Sequence, residues 1–260
     1  MERLALDPDR LRSEILDGSS LWHHFELVAR TGSTNADLLG GANSDKYPLG
    51  TVLVADEQYA GRGRLDRSWQ APARSGLAVS VLVANPRHIE ATLVPLLVGV
   101  AAIKAIRSGK WLSQPLRATL KWPNDVMVGE RKVGGILTHQ IGAKHIKAIV
   151  AGLGLNISLR ADELPTPLAT SLQLEGATEP DRGTYLIAYL RELEILLLNA
   201  ETDALINEYT ALSSTLGREV RIELPGGRKY LGVATAIDRS GALVLADGTV
   251  VSAGDVVHLR

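Results

Sequence analysis

The chain has 260 residues, 45% of them apolar, and its 28 basic and 29 acidic side chains leave a formal net charge of −1; that is enough core for one large domain or a large and a small one, with no global field to draw in a polyanion or an anionic membrane. No cysteine is present, which excludes disulfides, a thiolate nucleophile, cysteine metal sites and an enzyme thioester. The charged N-terminal stretch MERLALDPDRLRSEIL lacks the apolar core of a signal peptide, and residues 91–106, broken by Pro95 and Lys104, fall short of a bilayer span, so the expectation is a soluble cytoplasmic protein.

In chain order, a short helix is predicted from Pro8, capped by Asp7 and stopped at Gly18. Residues 22–30 read as extended. In TGSTNADLLGG, Ser33 or Thr34 caps a helix that Gly40–Gly41 ends. TVLVADEQ (51–58) and GLAVSVLVA (76–84) read as strands, the second apolar on both faces and so central. Residues 91–108 are apolar nearly all round, which predicts a buried helix. Strands separated by short turns fill 117–157, with Gly129–Glu130 as one of the turns. An irregular stretch at 159–181 precedes one or two amphipathic helices over 182–212. After Gly217 the pattern changes to short β segments with PGG and DG turns, a small barrel or sandwich. The expected division is therefore 1–213 and 214–260.

Four stretches carry chemistry. GRGRLDRSW (61–69) packs three arginines, two glycines and a tryptophan into nine positions. It is not a dinucleotide fingerprint, because Asp66 stands where the third glycine belongs and no helix follows, and no P-loop exists anywhere in the chain. The loop is either a cradle for a small anion or a solvated surface loop; Trp69 favours the cradle, since it needs something flat or apolar to stack on. KWPNDVMV (121–128) places Lys121 and Asp125 at the lips of a strand break, as a cation aimed at a phosphate or carboxylate with a carboxylate for Mg²⁺, or as a hairpin with a surface ion pair. In ERKVGGILTH, two glycines after Lys132 mark either a close approach or a bulge. In AGLGLNIS, Gly152 and Gly154 leave one strand face without side chains and Asn156 continues it. The six histidines show no metal-ligand spacing.

TGSTN, AGRGR-x-x-R-x-W, KWPND with K-x-x-GIL, and G-x-GLN form an ordered set that resembles the biotin–protein ligases, from about residue 30 to the end of the chain. The resemblance implies an α+β fold: a mixed sheet with flanking helices like that of class II aminoacyl-tRNA synthetases, then an SH3-like barrel. It implies two steps. Biotin attacks the α-phosphate of ATP to give biotinyl-AMP and pyrophosphate, and a lysine of a biotin carboxyl carrier domain of an acyl-CoA carboxylase then displaces AMP. ATP, Mg²⁺ and biotin enter as substrates or activator, with no tightly bound prosthetic group. Lys132, Lys121 and Arg64 become the catalytic cations. Ser33, Thr34, Asn35, Gln58, Gly61, Arg62, Arg64, Lys132, Gly135, Leu137, Gly152 and Gly154 form the biotin site. Arg62, Arg64, Arg67, Trp69, Lys121, Asn124, Asn156 and Arg260 contact ATP, and Asp125 the Mg²⁺.

The loop departs from the usual G-R-G-R-R-G-R of the family at Leu65 and Asp66, where a charge of the wrong sign and a restricted backbone predict weaker trapping of the adenylate. About 30 residues precede TGSTN, too few for an independent domain, so specific DNA binding is not expected, nor membrane binding; a monomer or weak homodimer is. The rivals are a lipoate–protein ligase, which shares fold and adenylate logic, and a non-catalytic regulator that binds biotin or nucleic acid.

Overall fold

The computed structural model describes residues 3–44, 46–108, 116–143, 146–178, 181–224 and 227–259. Helix α1 (Pro8–Leu16) begins as predicted. The Asp7 carboxylate accepts from the amides of Asp9 and Arg10 at 3.1 Å each, and the helix ends ahead of Gly18. Next come β1 (His24–Val28), α2 (Thr34–Asn43), β2 (Thr51–Ala55), the short strands β3 (Gly61–Arg62) and β4 (Ser68–Trp69), and β5 (Gly76–Ala84). Helix α3 (Val94–Ser108) leads into β6 (Ala118–Lys121), β7 (Asp125–Val128), β8 (Arg131–Ala143) and β9 (Ile146–Asn156). Two helices, α4 (Arg182–Asn199) and α5 (Thr202–Leu212), precede β10 (Glu219–Glu223), β11 (Lys229–Ile237), β12 (Leu243–Leu245), β13 (Val250–Val251) and β14 (Asp255–His258).

Seven strands form one mixed sheet in the order β1-β2-β5-β9-β8-β7-β6. β1 pairs parallel with β2, and every other neighbour is antiparallel. The period of two decides what each face does. Leu77, Val79, Val81 and Val83 of β5, with Ile149, Ala151, Leu153 and Leu155 of β9, face the main core under α3 and α4. α3 is buried on nearly every side, as its all-round apolarity predicts; contrary to the expectation of a stretch too short for a bilayer, the segment Ala91–Ser108 has the length and apolarity of a membrane span, and here it is the central core helix. On the opposite face α2 covers Leu53, Leu82 and Val150. Beyond its reach that face bears mostly small residues, and there the sheet lies open.

The glycine pair expected to stop α2 does not stop it, and the helix runs on to Asn43. A Cβ on Gly41 would fall 2.1 Å from Tyr47 Cδ2. Glycine is needed there to admit a tyrosine ring, which is a packing requirement and not a helix terminus.

The last five strands form a separate antiparallel sheet in the order β13-β12-β11-β10-β14. Its interior residues Val220, Ile222, Leu243 and Leu245 join the main core. Hydrogen bonds tie it to the end of β6. Trp122 Nε1 donates to Gly241 O at 2.9 Å, the Trp122 amide to Thr215 Oγ1 at 3.0 Å, and the Ser214 amide to Leu120 O at 2.8 Å.

Candidate active site

The open face is built in two rows across β5, β9 and β8. Register places Ser80 beside Gly152 and Gly152 beside Leu137; one step along, Ala78 lies beside Gly154 and Gly154 beside Gly135. The floor therefore carries almost no side-chain volume. Two side chains from elsewhere rest on it. A Cβ on Gly152 would fall 2.4 Å from Asn35 Oδ1, and one on Gly154 2.7 Å from Trp69 Cε2. Both alternatives left open for the paired glycines of β8 hold at once. The ladder shifts register opposite Val126 and Met127, a bulge, and a Cβ on Gly135 would approach Lys132 Nζ to 3.3 Å and Trp69 Cζ3 to 3.4 Å, a close approach.

The first row ends in a neutral polar network. Gln58 Oε1 accepts from the Thr34 amide at 2.8 Å, Thr34 Oγ1 lies 2.7 Å from Ser80 Oγ, Ser80 donates to Asn35 Oδ1 at 2.7 Å, and Asn35 Nδ2 donates to Leu137 O at 2.9 Å. Ser33, Thr34, Asn35 and Ser80 are all buried, so each polar group needs these partners. Ser33 starts α2 without a side-chain cap. Ser80 was not singled out from sequence; its one signal is a lone hydroxyl inside an apolar strand.

The second row ends in charge. Lys132 Nζ donates to Asp125 Oδ1 at 2.5 Å and lies 5.8 Å from the centre of the Trp69 ring. Burial pulls the Lys121 ammonium below the usual lysine value; Asp125 opposes this and Lys132 adds to it. Asn124 spends its side chain on structure. Its Nδ2 donates to Ile136 O at 2.8 Å while Ile136 N donates to Asn124 O at 2.9 Å, which pins the turn after β6 to β8. The peptide bond between Trp122 and Pro123 in that turn is cis.

The arginine loop arches over both rows as a hairpin. β3 pairs with β4, Gly61 opposite Trp69, and Gly63 N donates to Arg67 O at 2.7 Å. Gly61 is obligatory, because a Cβ there would meet Trp69 O at 2.5 Å. At the tip the left-handed residue is Leu65, with φ 51° and ψ 41°; the backbone restriction expected at Asp66 sits one position earlier. Arg64 Nη1 donates to Gly254 O at 3.3 Å, and Arg67 pairs with Asp255. Desolvation lowers the Arg64 guanidinium from its ordinary value, with Asp255 and Asp125 opposing.

Sixteen of the expected site residues thus line one cavity. Gly61 and Asn156 do not: Gly61 backs the hairpin, and Asn156 is buried beyond Trp69, donating from Nδ2 to Thr170 O at 2.9 Å. Arg260 lies outside the described residues. Besides Ser80, the lining residues that escaped the sequence reading include Asp255 and Val256 of the C-terminal sheet. Among the described residues, Arg62, Arg64, Arg67, Lys121 and Lys132 face the cavity against Asp125 and Asp255, five cations to two carboxylates. In a chain of net charge −1 this is a local anion receptor. No group of three or more histidine, aspartate or glutamate side chains that could hold a metal occurs among the described residues.

Comparison with known proteins agrees with this geometry. The Biotin/lipoate A/B protein ligase family matches residues 27–156, and the Biotin protein ligase C terminal domain matches 215–259. The biotin–[acetyl-CoA-carboxylase] ligase of Mycobacterium tuberculosis is 40% identical over 99% of this chain and 97% of its own length. The bifunctional ligase/repressor of Bacillus spizizenii is 28% identical over 90% of this chain and 71% of its own. The structure of the Aquifex aeolicus biotin protein ligase in complex with biotin and ATP superposes with a TM-score of 0.74 at 25% identity, covering 92% of this chain and all of that one. The antiparallel C-terminal sheet is the SH3-like module of such enzymes, and the chain belongs to the biotin/lipoate A/B protein ligase family, on its biotin protein ligase branch.

Proposed function

We propose that this chain activates biotin with ATP as biotinyl-5′-AMP and transfers the biotinyl group to a lysine of a carboxylase carrier domain. The polarity gradient along the cavity carries the assignment. Neutral donors and acceptors on Thr34, Asn35, Gln58 and Ser80 gather at one end, and Lys132, Lys121 and the loop arginines at the other. Biotin has the same polarity, a neutral ureido ring at one end and a carboxylate at the other. Laid over the glycine floor, it brings its carboxylate to Lys132.

In the first step a biotin carboxylate oxygen attacks the α-phosphorus of ATP, and the bond to the bridging oxygen breaks to release pyrophosphate. Charge gathers on phosphate and carboxylate oxygens, so fixed cations are the catalytic device. Lys132 and Arg64 face the reacting oxygens, while Arg62, Arg67 and Lys121 hold the phosphates. Trp69 gives the adenine a flat wall. In the second step the acceptor amine attacks the biotinyl carbonyl carbon, loses a proton, and AMP leaves. Mg²⁺, when bound, neutralises phosphate charge. Asp125 would supply its one carboxylate, which fits an ion held mostly by phosphate oxygens and water. We assign residues 1–213 to this chemistry and 214–260 to the module that closes one wall of the cavity.

Biotin-dependent ATP–pyrophosphate exchange, with lipoate in a parallel tube, tests the reading. Exchange with biotin alone is expected. Exchange with lipoate alone moves the chain to the lipoate branch of its family, and exchange with neither leaves a binding module.

A further inference from the structure

The arginine hairpin is held at two places of different strength. At its base the Arg74 amide donates to Asp56 O at 2.8 Å, and the Asp56 carboxylate pairs with Arg182 at 2.8 Å and Arg74 at 3.5 Å. The Arg182 side chain is only 6% exposed, so the base is fixed. At its tip the hairpin reaches the C-terminal module through Arg64 on Gly254 O and Arg67 on Asp255. There the arginine is 68% exposed and the carboxylate 17%. An ion pair so open to water is weak and readily exchanged. Asp255 nevertheless lines the same cavity as Lys121 and Lys132, an anion standing among cations that suit phosphates.

We propose that Asp255 is a positioning residue that closes the arginine hairpin by standing in for a phosphate, and that it competes with the phosphates of the ligand for Arg67. A carboxylate and a phosphate crowded onto one guanidinium repel each other, so Arg67 is handed from one to the other. The exchange makes closure reversible: phosphates take Arg67 on entry, and Asp255 recovers it as pyrophosphate leaves. The identity of the phosphate compound rests on the ligase reading; the competition does not.

The test uses the full chain, inorganic pyrophosphate and three variants, Asp255→Asn, Arg67→Gln and the double. Trypsin cleavage of the hairpin in the absence of ligand reads closure, and calorimetry reads pyrophosphate affinity. Asp255→Asn is expected to speed cleavage and to tighten pyrophosphate binding, each by about two- to fivefold, the size of a half-exposed ion pair. Asp255→Glu restores both. In the Arg67→Gln background, Asp255→Asn changes neither. Unchanged or weaker pyrophosphate binding in Asp255→Asn, a gain that persists without Arg67, or no pyrophosphate binding by any of the proteins overturns the proposal. Neither readout needs turnover, so a wild-type protein that fails biotin-dependent exchange but shows this pattern sinks the ligase reading alone.

Discussion

Gly152 and Gly154 are glycine because Asn35 and Trp69 lie where their Cβ atoms would stand, at 2.4 and 2.7 Å. Adding a methyl group at 152 drives Asn35 off the floor and breaks its bonds to Ser80 and Leu137. Overpacking of this kind costs about 1–3 kcal/mol, so Gly152→Ala is expected to weaken biotin binding by about tenfold or more, read by calorimetry. Unchanged affinity would mean that Asn35 is not part of the site. Lys132 is the other residue with a sharp expectation. Its ammonium is fixed between Asp125 and the Trp69 ring, and a preorganised charge loses little to reorganisation in the transition state. Lys132→Ala is expected to cut adenylation by about 10²–10³, the usual loss of such a group. If exchange barely falls, the reacting oxygens are held elsewhere.

At the scale of elements the hairpin is the part least well adapted to its shape. A non-glycine residue in the left-handed region costs about 1–2 kcal/mol, and Leu65 is a bulky one. Leu65→Gly is expected to slow tryptic cleavage of the hairpin and the release of biotinyl-AMP together; faster cleavage would show that the strain is not in the turn. Leu65→Arg/Asp66→Gly restores the usual charge but keeps a side chain at the left-handed position. It is expected to slow adenylate release through charge alone, and equal release rates would refute that. The same hairpin marks the limit of what the sequence reveals. The two-faced apolar run of 76–84, the all-round apolarity of 91–108 and the Asp7 cap are local signals, and each produced the element it predicted. So did the glycines of the floor, whose spacing of two is a face. Gly41 misled because the reason for a glycine is the ring packed against it, and Tyr47 is placed by tertiary structure. Ser80 hid inside an apolar strand. Asp255 carried no signal at all, since its meaning is a partner on the far side of the chain, as is that of Gly254, 190 residues from Arg64.

For the whole molecule, the seam between the sheet and the C-terminal module is where pH acts. His258 Nε2 lies 3.2 Å from Thr215 Oγ1, the same oxygen that receives the Trp122 amide. Burial, with Lys121 and Arg218 nearby and Glu130 opposing, lowers His258 from 6.5 to about 4. The unfolded chain takes up this proton near pH 6.5 and the folded chain only near pH 4, so between them the unfolded state binds more protons. Stability then rises with pH across that window and is lost as pH falls through it. His139, lowered by burial alone, acts with the same sign. The carboxylates act lower down: Glu163, held beside Arg3 and brought from 4.5 to about 2, contributes fully above 4.5 and is lost only as pH falls below it. Melting curves between pH 4.5 and 7.5 therefore isolate the histidines. His258→Gln is expected to flatten the loss of Tm over that range while leaving the steeper loss below it intact. A slope unchanged by the substitution would mean that the seam does not sense the proton. Because Trp122 and Lys121 are neighbours in the chain, a proton on His258 adds a cation beside the end of β6 that carries Lys121, the lysine proposed to hold phosphates. The seam that loosens is then also a wall of the cavity.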